Sequence, residues 1–552
     1  MKKRIFALLM VVALIAGLVA CGPAGGDNQA DGAITITMPL TAEPSSLDPG
    51  FGNSSDSICP RGMMYEGLVR IYDNVLSPAL AESWEVSEDG LTYTFHLRES
   101  YWSDGVQVTA ADFEYGFKRL VDPNGPNGNY MWMGDYIANG YDVRKGNLPL
   151  DDFGVKAVDD LTLEITAASP MPYFVDLLKT PCFYPVRQDV AEAHGVKYAS
   201  SPETVVCCGP FVLEKWDHES ELVFKKNDQY WNAEAINVDY VNVPIITDEE
   251  TMMNMFDADE LSMMPTIKKE YIAKYEETGE AIQMDGATIW YCAVNTISDR
   301  GEASKLLQNK NFRQAISYLI PRDQLVTAAR GDGSFGVTRI LPTNMSLSYG
   351  TATVGDVYPY EPYPVAGDTA KAKELFEKAL QETGLKADKL PTMTLLTFDD
   401  AAAKVCSEVI QNLLDTEFGL TVEIDTQTYS ARQEKEHAGD YDFCITNWAP
   451  DYNDPMTFLE CFTSGSSYNT YFGGMQNSAY DAIITECLTM MDYEKRAEKL
   501  IEGEKMVAEE LPVIPLFQTS GYYAVKPYVT GITKCGFGAN DPDLSLVKYI
   551  GE

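Results

Sequence analysis

One short stretch of this chain crowds acids, aromatics and prolines together: Trp448-Ala-Pro-Asp451-Tyr-Asn-Asp-Pro455. Asp451 followed by Asn453 begins like a calcium-binding loop, but Pro455 and the missing glycine and glutamate break that pattern. The residues alone read Asp451 as the start of an Asx turn ahead of Asn453-Asp-Pro455. A second stretch, Gly331-Asp-Gly333-Ser-Phe-Gly336, has the spacing of a dinucleotide loop. That chemistry needs a strand before the glycines and a helix after them, so that the phosphates meet the helix N-terminus. Here a helix expected over Phe312 to Ala329 comes first, and Pro342 prevents a helix from following, so the glycines read as a loop. There is no G-x-x-x-x-G-K-[ST], no H-E-x-x-H and no G-x-S-x-G. The four histidines, His96, His194, His218 and His437, fall in alternating or polar stretches and read as surface or packing residues. With no nucleophile, base or metal set in view, a binding protein is expected rather than an enzyme, and no cofactor or metal is called for.

The elements that would position these residues follow from periodicity. Ile34 to Met38, Tyr93 to Leu97 and Leu161 to Ile165 alternate as strands. Thr109 with Asp112 reads as a shortened capping box opening a helix. Met393 to Phe398 reads as a strand. Ala402, Val405, Cys406, Val409, Ile410, Leu413 and Leu414 then mark one face of a helix closed by Gly419, and Leu420 to Ile424 alternates as the next strand. Strand, helix and strand with short links predict a parallel βαβ unit. Helices are also expected over Ala370 to Thr383 and Tyr493 to Glu510. The fold class is therefore α/β.

The chain has 552 residues and a net charge of −40. A single core rarely grows beyond roughly 250–300 residues, so several domains are expected. The acidic balance argues against nucleic acid, whose affinity rests on Lys and Arg neutralising phosphates. The ordinary apolar content excludes a fibrous or polytopic membrane protein. Lys2, Lys3 and Arg4 precede an apolar run to Val19, which reads as a signal peptide over residues 1–20. Its core is shorter than the roughly 20 residues a membrane span needs. Gly22 to Gly32 reads as a flexible tether. Of eleven cysteines, ten lie beyond Cys21, spread along the chain with no C-x-x-C, and most are expected to be buried thiols.

Leu18-Val-Ala-Cys21 resembles the bacterial lipobox, which implies cleavage before Cys21 and lipidation of its thiol. Further on, Glu43-Pro-Ser-Ser-Leu-Asp-Pro49, Tyr65-Glu-Gly-Leu-Val69, the run Pro78 to Arg98, Trp102-Ser-Asp-Gly105, Pro170-Met-Pro-Tyr-Phe174, Cys208-Gly-Pro-Phe211, Lys226-Asn-Asp-Gln-Tyr-Trp231 and Trp448 to Pro455 stand in one order. In that order they resemble the extracytoplasmic solute-binding proteins of peptide ABC importers, the oligopeptide-binding group above all.

The resemblance implies a two-lobed, class II periplasmic-binding-protein-like clamp of three domains. Domain I would comprise residues 33–65, 188–288 and 519–552, domain II an insertion over 66–187, and domain III residues 289–518. It also implies that the lobes close on an extended peptide held as an added strand. The family's aspartate for the peptide α-ammonium falls on Asp451. Asn447 and Trp448 match backbone that pairs with the peptide; Asn53, Ser54 and Ser55 match the facing segment; Tyr130 matches a contacting tyrosine. Members that take long peptides carry an arginine where this chain has Ile445, and a cysteine of some members is Ala449 here. Arg339, after the glycine loop, is a further cation for the ligand carboxylate. The expected partners are a peptide, a permease, ATP-binding subunits and, through Cys21, the outer face of the cell membrane; a monomer is expected. The same fold binding a nickel chelate, haem or an oligosaccharide is the alternative, with an unrecognised secreted hydrolase behind it.

Overall fold

The computed structural model describes residues 32–51, 55–72, 75–125, 128, 130–347, 352–537 and 542–551. The signal segment, Cys21, most of the tether, Asn53 and Ser54 lie outside the described residues. Among the described residues no helix is long and apolar enough to cross a membrane.

Three larger sheets organise the chain. One runs Thr35–Thr37, Tyr240–Pro244, Glu221–Lys226, Phe211–Asp217, parallel at its first pair and antiparallel after. An antiparallel sheet, Ala81–Val86, Thr92–Leu97, Thr162–Thr166, Val155–Asp159, is inserted between its strands in sequence. The third is mixed. Its order is Met263–Met264, Val513–Val525, Ala281–Val294, Phe443–Trp448, Met393–Phe398, Val422–Gln427, with Phe335–Gly336 added on Val513–Val525. The architecture is an α/β clamp of several domains, as expected.

The βαβ unit forms as its pattern demands. Met393–Phe398 and Val422–Gln427 pair in parallel, joined by the helix Ala401–Phe418. Asp400 caps that helix by accepting the Ala403 amide at 2.9 Å, and Gly419 ends it with a φ of +64° that suits glycine. The helix expected over Phe312 to Ala329 is instead two, Lys310–Leu319 and Arg322–Ala329. Pro321 donates no amide hydrogen and turns Ile320 out of helical backbone, so the chain bends there. The glycine run is a loop, as read, until Phe335–Gly336 joins the sheet edge.

Most of the ordered landmark residues are packing devices. Asp48 accepts Arg119 through both oxygens, at 2.7 and 2.6 Å, and the Gly50 amide at 3.0 Å. Trp102 is fully buried and donates to Asp112 at 3.3 Å, while Asp112 accepts the Thr109 amide at 2.8 Å and completes the capping box. The Arg98 guanidinium lies 3.7 Å over the Trp231 ring. At Gly209 a Cβ would stand 2.6 Å from the Tyr65 nitrogen, so the Cys208-Gly-Pro turn needs glycine to pack against that backbone. Nine of the ten cysteines are buried, and all ten are free thiols.

Candidate functional site

The strand Phe443–Trp448 delivers the Asp451 loop. It is antiparallel to Ala281–Val294 along its length, but pairs with Met393–Phe398 only at Phe443 and Cys444. Ile445 is buried in this strand. Asn447 lies half-buried opposite Trp290. Trp448, also half-buried, donates its indole N–H to the Thr457 carbonyl at 3.0 Å and meets the edges of Tyr468 and Phe472 at 5.3 Å.

Beyond Trp448 each neighbour of Asp451 is tied down. The Asp451 amide donates to Thr457 Oγ1 at 3.1 Å. Tyr452 stacks on Tyr173 at 4.3 Å with planes 8° apart. The Asn453 amide donates to Asp176 Oδ1 at 3.1 Å. Asp454 accepts the Met456 amide at 2.9 Å and both terminal nitrogens of Arg496 at 2.6 and 2.8 Å. The Asx-turn reading of Asp451 fails here: the Asn453 amide that such a turn would use is given to Asp176, and Asp454 is the residue that turns the chain.

The Asp451 carboxylate therefore has no ion pair among the described residues. It lines a cavity of about 630 Å³. That cavity is walled by the helix Ser55–Met64, the Tyr130 to Tyr136 segment, residues near Lys179, the Asp451 loop and the C-terminal stretch from Thr533. Asp451 is open to the cavity yet surrounded by protein on its other sides, and the lost hydration pushes its carboxyl above the usual range. Negative charge gathers at this end. Glu460, 3.4 Å from the Tyr452 hydroxyl, is pushed up to about 7 by burial and by Asp451 and Asp454. The Tyr136 hydroxyl rises to about 12, from burial and then from Glu460 and Asp451. Asp454 is answered by Arg496, but Asp451 and Glu460 have no ion pair among the described residues, and acids so placed favour the arrival of a cation.

Of the residues singled out in the sequence, Asp451 and Tyr130 share this cavity, while Asn447 and Trp448 lead into it. Ser55 begins the helix whose Ile58, Cys59 and Gly62 form one wall. Arg339 does not reach it: its guanidinium is buried on the Tyr358 and Tyr360 carbonyls, 3.4 Å from Glu361. Sequence reasoning passed over Trp132, Tyr136 and Lys179, which also line the cavity, and Glu460 beside it. The aromatic density of Tyr130-Met-Trp-Met-Gly-Asp-Tyr136 was the available signal; for Glu460 and Lys179 there was none.

Residues 75–470 match the bacterial extracellular solute-binding proteins, family 5 Middle. The chain belongs to this family. The oligopeptide-binding protein OppA of Bacillus subtilis (strain 168) is 31% identical, with 98% of each chain covered. Among solved structures, the periplasmic murein tripeptide binding protein MppA, in its unliganded open form, superposes with a TM-score of 0.80 at 24% identity, over 94% of this chain and 98% of that one. Listeria monocytogenes OppA bound to peptide superposes at 0.65 with 27% identity, over 94% and 100% of the two chains. Members of the family are solute carriers, not enzymes.

Proposed function

We propose that this protein captures peptides outside the cytoplasm and hands them to an ABC importer. The observation that carries the reading is the Asp451 carboxylate, held open in a walled cavity with no cation of its own among the described residues. A peptide α-ammonium is the group such a site lacks, and a charge-assisted bond to it is worth roughly 1.5–3 kcal/mol net. Relatives described as peptide-binding support the same reading. The strand Phe443–Trp448 pairs with Met393–Phe398 only at Phe443 and Cys444, and its half-buried end at Asn447 and Trp448 is the backbone we assign to an extended ligand. A nickel chelate or haem has no obligatory ammonium to give Asp451.

The domain boundaries belong to this proposal. The pairing of Ala281–Val294 with Val513–Val525 slips in register between Asp285 and Ile289, close to where lobes dividing at 288/289 and 518/519 would hinge. A lipid on Cys21 would hold the clamp at the outer face of the membrane beside its permease and ATP-binding subunits, as a monomer.

Native mass spectrometry of a soluble form starting after Cys21 tests the ligand: co-purified short peptides are expected, and a metal chelate or porphyrin mass would overturn the reading. Blocking lipoprotein signal processing tests the anchor. An unprocessed precursor is expected, and release of mature protein into the medium counts against it.

A further inference from the structure

We infer that the inserted antiparallel sheet positions Asp451: Tyr173 and Asp176, carried on it, hold the loop that presents the carboxylate to the cavity. The assignment rests on the peptide reading above and gives the insertion a part in ligand binding. The Asp451 carboxylate accepts no hydrogen bond among the described residues, so the backbone of its loop sets where it stands. Two ties of that loop are local to its own part of the fold, the Asp451 amide on Thr457 Oγ1 and Asp454 on Arg496. Two others cross to a remote segment. Tyr452 lies flat on Tyr173, with ring centres 4.3 Å apart and planes 8° from parallel. The Asn453 amide reaches Asp176 Oδ1 at 3.1 Å, 277 residues away in sequence.

That remote segment is itself fastened to the sheet. Pro170-Met-Pro-Tyr-Phe174 follows the strand Thr162–Thr166, and its two prolines restrict its backbone. Tyr93, on the neighbouring strand Thr92–Leu97, donates its hydroxyl to the Met171 carbonyl at 3.0 Å and sets its ring 4.7 Å from that of Phe174. Tyr173, Phe174 and Tyr452 are all buried, so a shift of this segment passes to the loop through close-packed atoms. The Arg496 guanidinium that grips Asp454 also lies 5.9 Å from the Tyr173 ring centre, so the local and the remote ties meet at one place. Two landmarks of the sequence, one ending at Phe174 and the other at Pro455, thus form a single contact. On the division into lobes proposed above, this contact joins the insertion to the opposite lobe, one residue from the ammonium acceptor.

The test measures, by calorimetry, the binding of alanine peptides from dipeptide to pentapeptide to the chain starting after Cys21. Each peptide is offered with a free and with an acetylated amino end, and wild type is expected to prefer the free amine. Tyr173→Leu removes the stacked ring. It should lose about tenfold in affinity for the free-amine peptides and change little toward the acetylated ones. Tyr173→Phe keeps the ring and should bind as wild type does. In an Asp451→Asn background Tyr173→Leu should cost nothing further, because it acts through that carboxylate. Tyr452→Leu removes the other ring, carries the same expectations and replaces Tyr173→Leu if that variant does not fold. Equal losses for free and acetylated peptides, a loss that adds in full to that of Asp451→Asn, or wild-type affinities after removal of either ring overturn the positioning role and leave the peptide reading standing. A wild-type protein that binds no peptide, or binds free and acetylated forms alike, overturns that reading itself, and this inference with it.

Discussion

Asp454 and Arg496 face each other as a two-pronged ion pair, buried on both sides, at 2.6 and 2.8 Å. The pair joins the loop that carries Asp451 to the helix Tyr493–Glu510. Arg496 also donates to the Cys487 carbonyl at 2.9 Å, so the loop is anchored through one guanidinium to two separate parts of the chain.

Removing one member of such a pair leaves an uncompensated buried charge. Arg496→Met is expected to lower unfolding stability by about 3–5 kcal/mol. Urea denaturation followed by tryptophan fluorescence reads this directly. A midpoint within error of wild type would show that the pair does not hold the loop.

Asp451→Asn should act on ligand and not on fold. Free-amine peptides are expected to lose about 2–5 kcal/mol of affinity, roughly thirtyfold or more, while their acetylated counterparts change little. Equal losses for both by calorimetry would remove Asp451 from the ammonium site.

Three glutamates should give the stability an acid-side optimum. Burial pushes Glu436, Glu460 and Glu504 from 4.5 up to about 7. A folded pKa above the unfolded one means that the native state holds protons the unfolded chain has released. The stability from these groups is therefore present below about 4.5 and lost as pH rises through about 7. The Tm is expected to be higher near pH 5 than near pH 8. Glu504→Gln, whose second oxygen is buried without a partner, should flatten the profile. A Tm that rises across this range would contradict the assignment.

Thiol chemistry gives an independent check on the cleft. The form starting after Cys21 should show one thiol open to slow reaction with a disulfide reagent, Cys535, and ten after denaturation. Cys535 lines the cavity, so a bound peptide should slow its reaction further. Fast labelling of several thiols in the native protein would contradict the packing.

Gly209→Ala should cost stability through crowding alone. Its new Cβ would press on the Met64 and Tyr65 backbone at 2.6–2.7 Å, an overpacking expected to cost about 1–3 kcal/mol. A stable variant by thermal unfolding would show that this turn can yield.

Local pattern sufficed for much of the fold. Apolar steps of three and four, Asp400 as cap and Gly419 as stop determine the βαβ unit, because helix and strand periods are properties of adjacent residues. The ordered landmarks from Glu43 to Pro455 determined the family. Neither could say which acids lack partners. That Asp454 has Arg496, that Asp176 takes the Asn453 amide, and that Asp451 is left facing the cavity are facts about groups far apart in the chain. The same holds for Arg339, a cation in reach by sequence but buried on two carbonyls in space. Charge pairing depends on distances of a few ångströms between remote segments, and only the folded chain sets those distances.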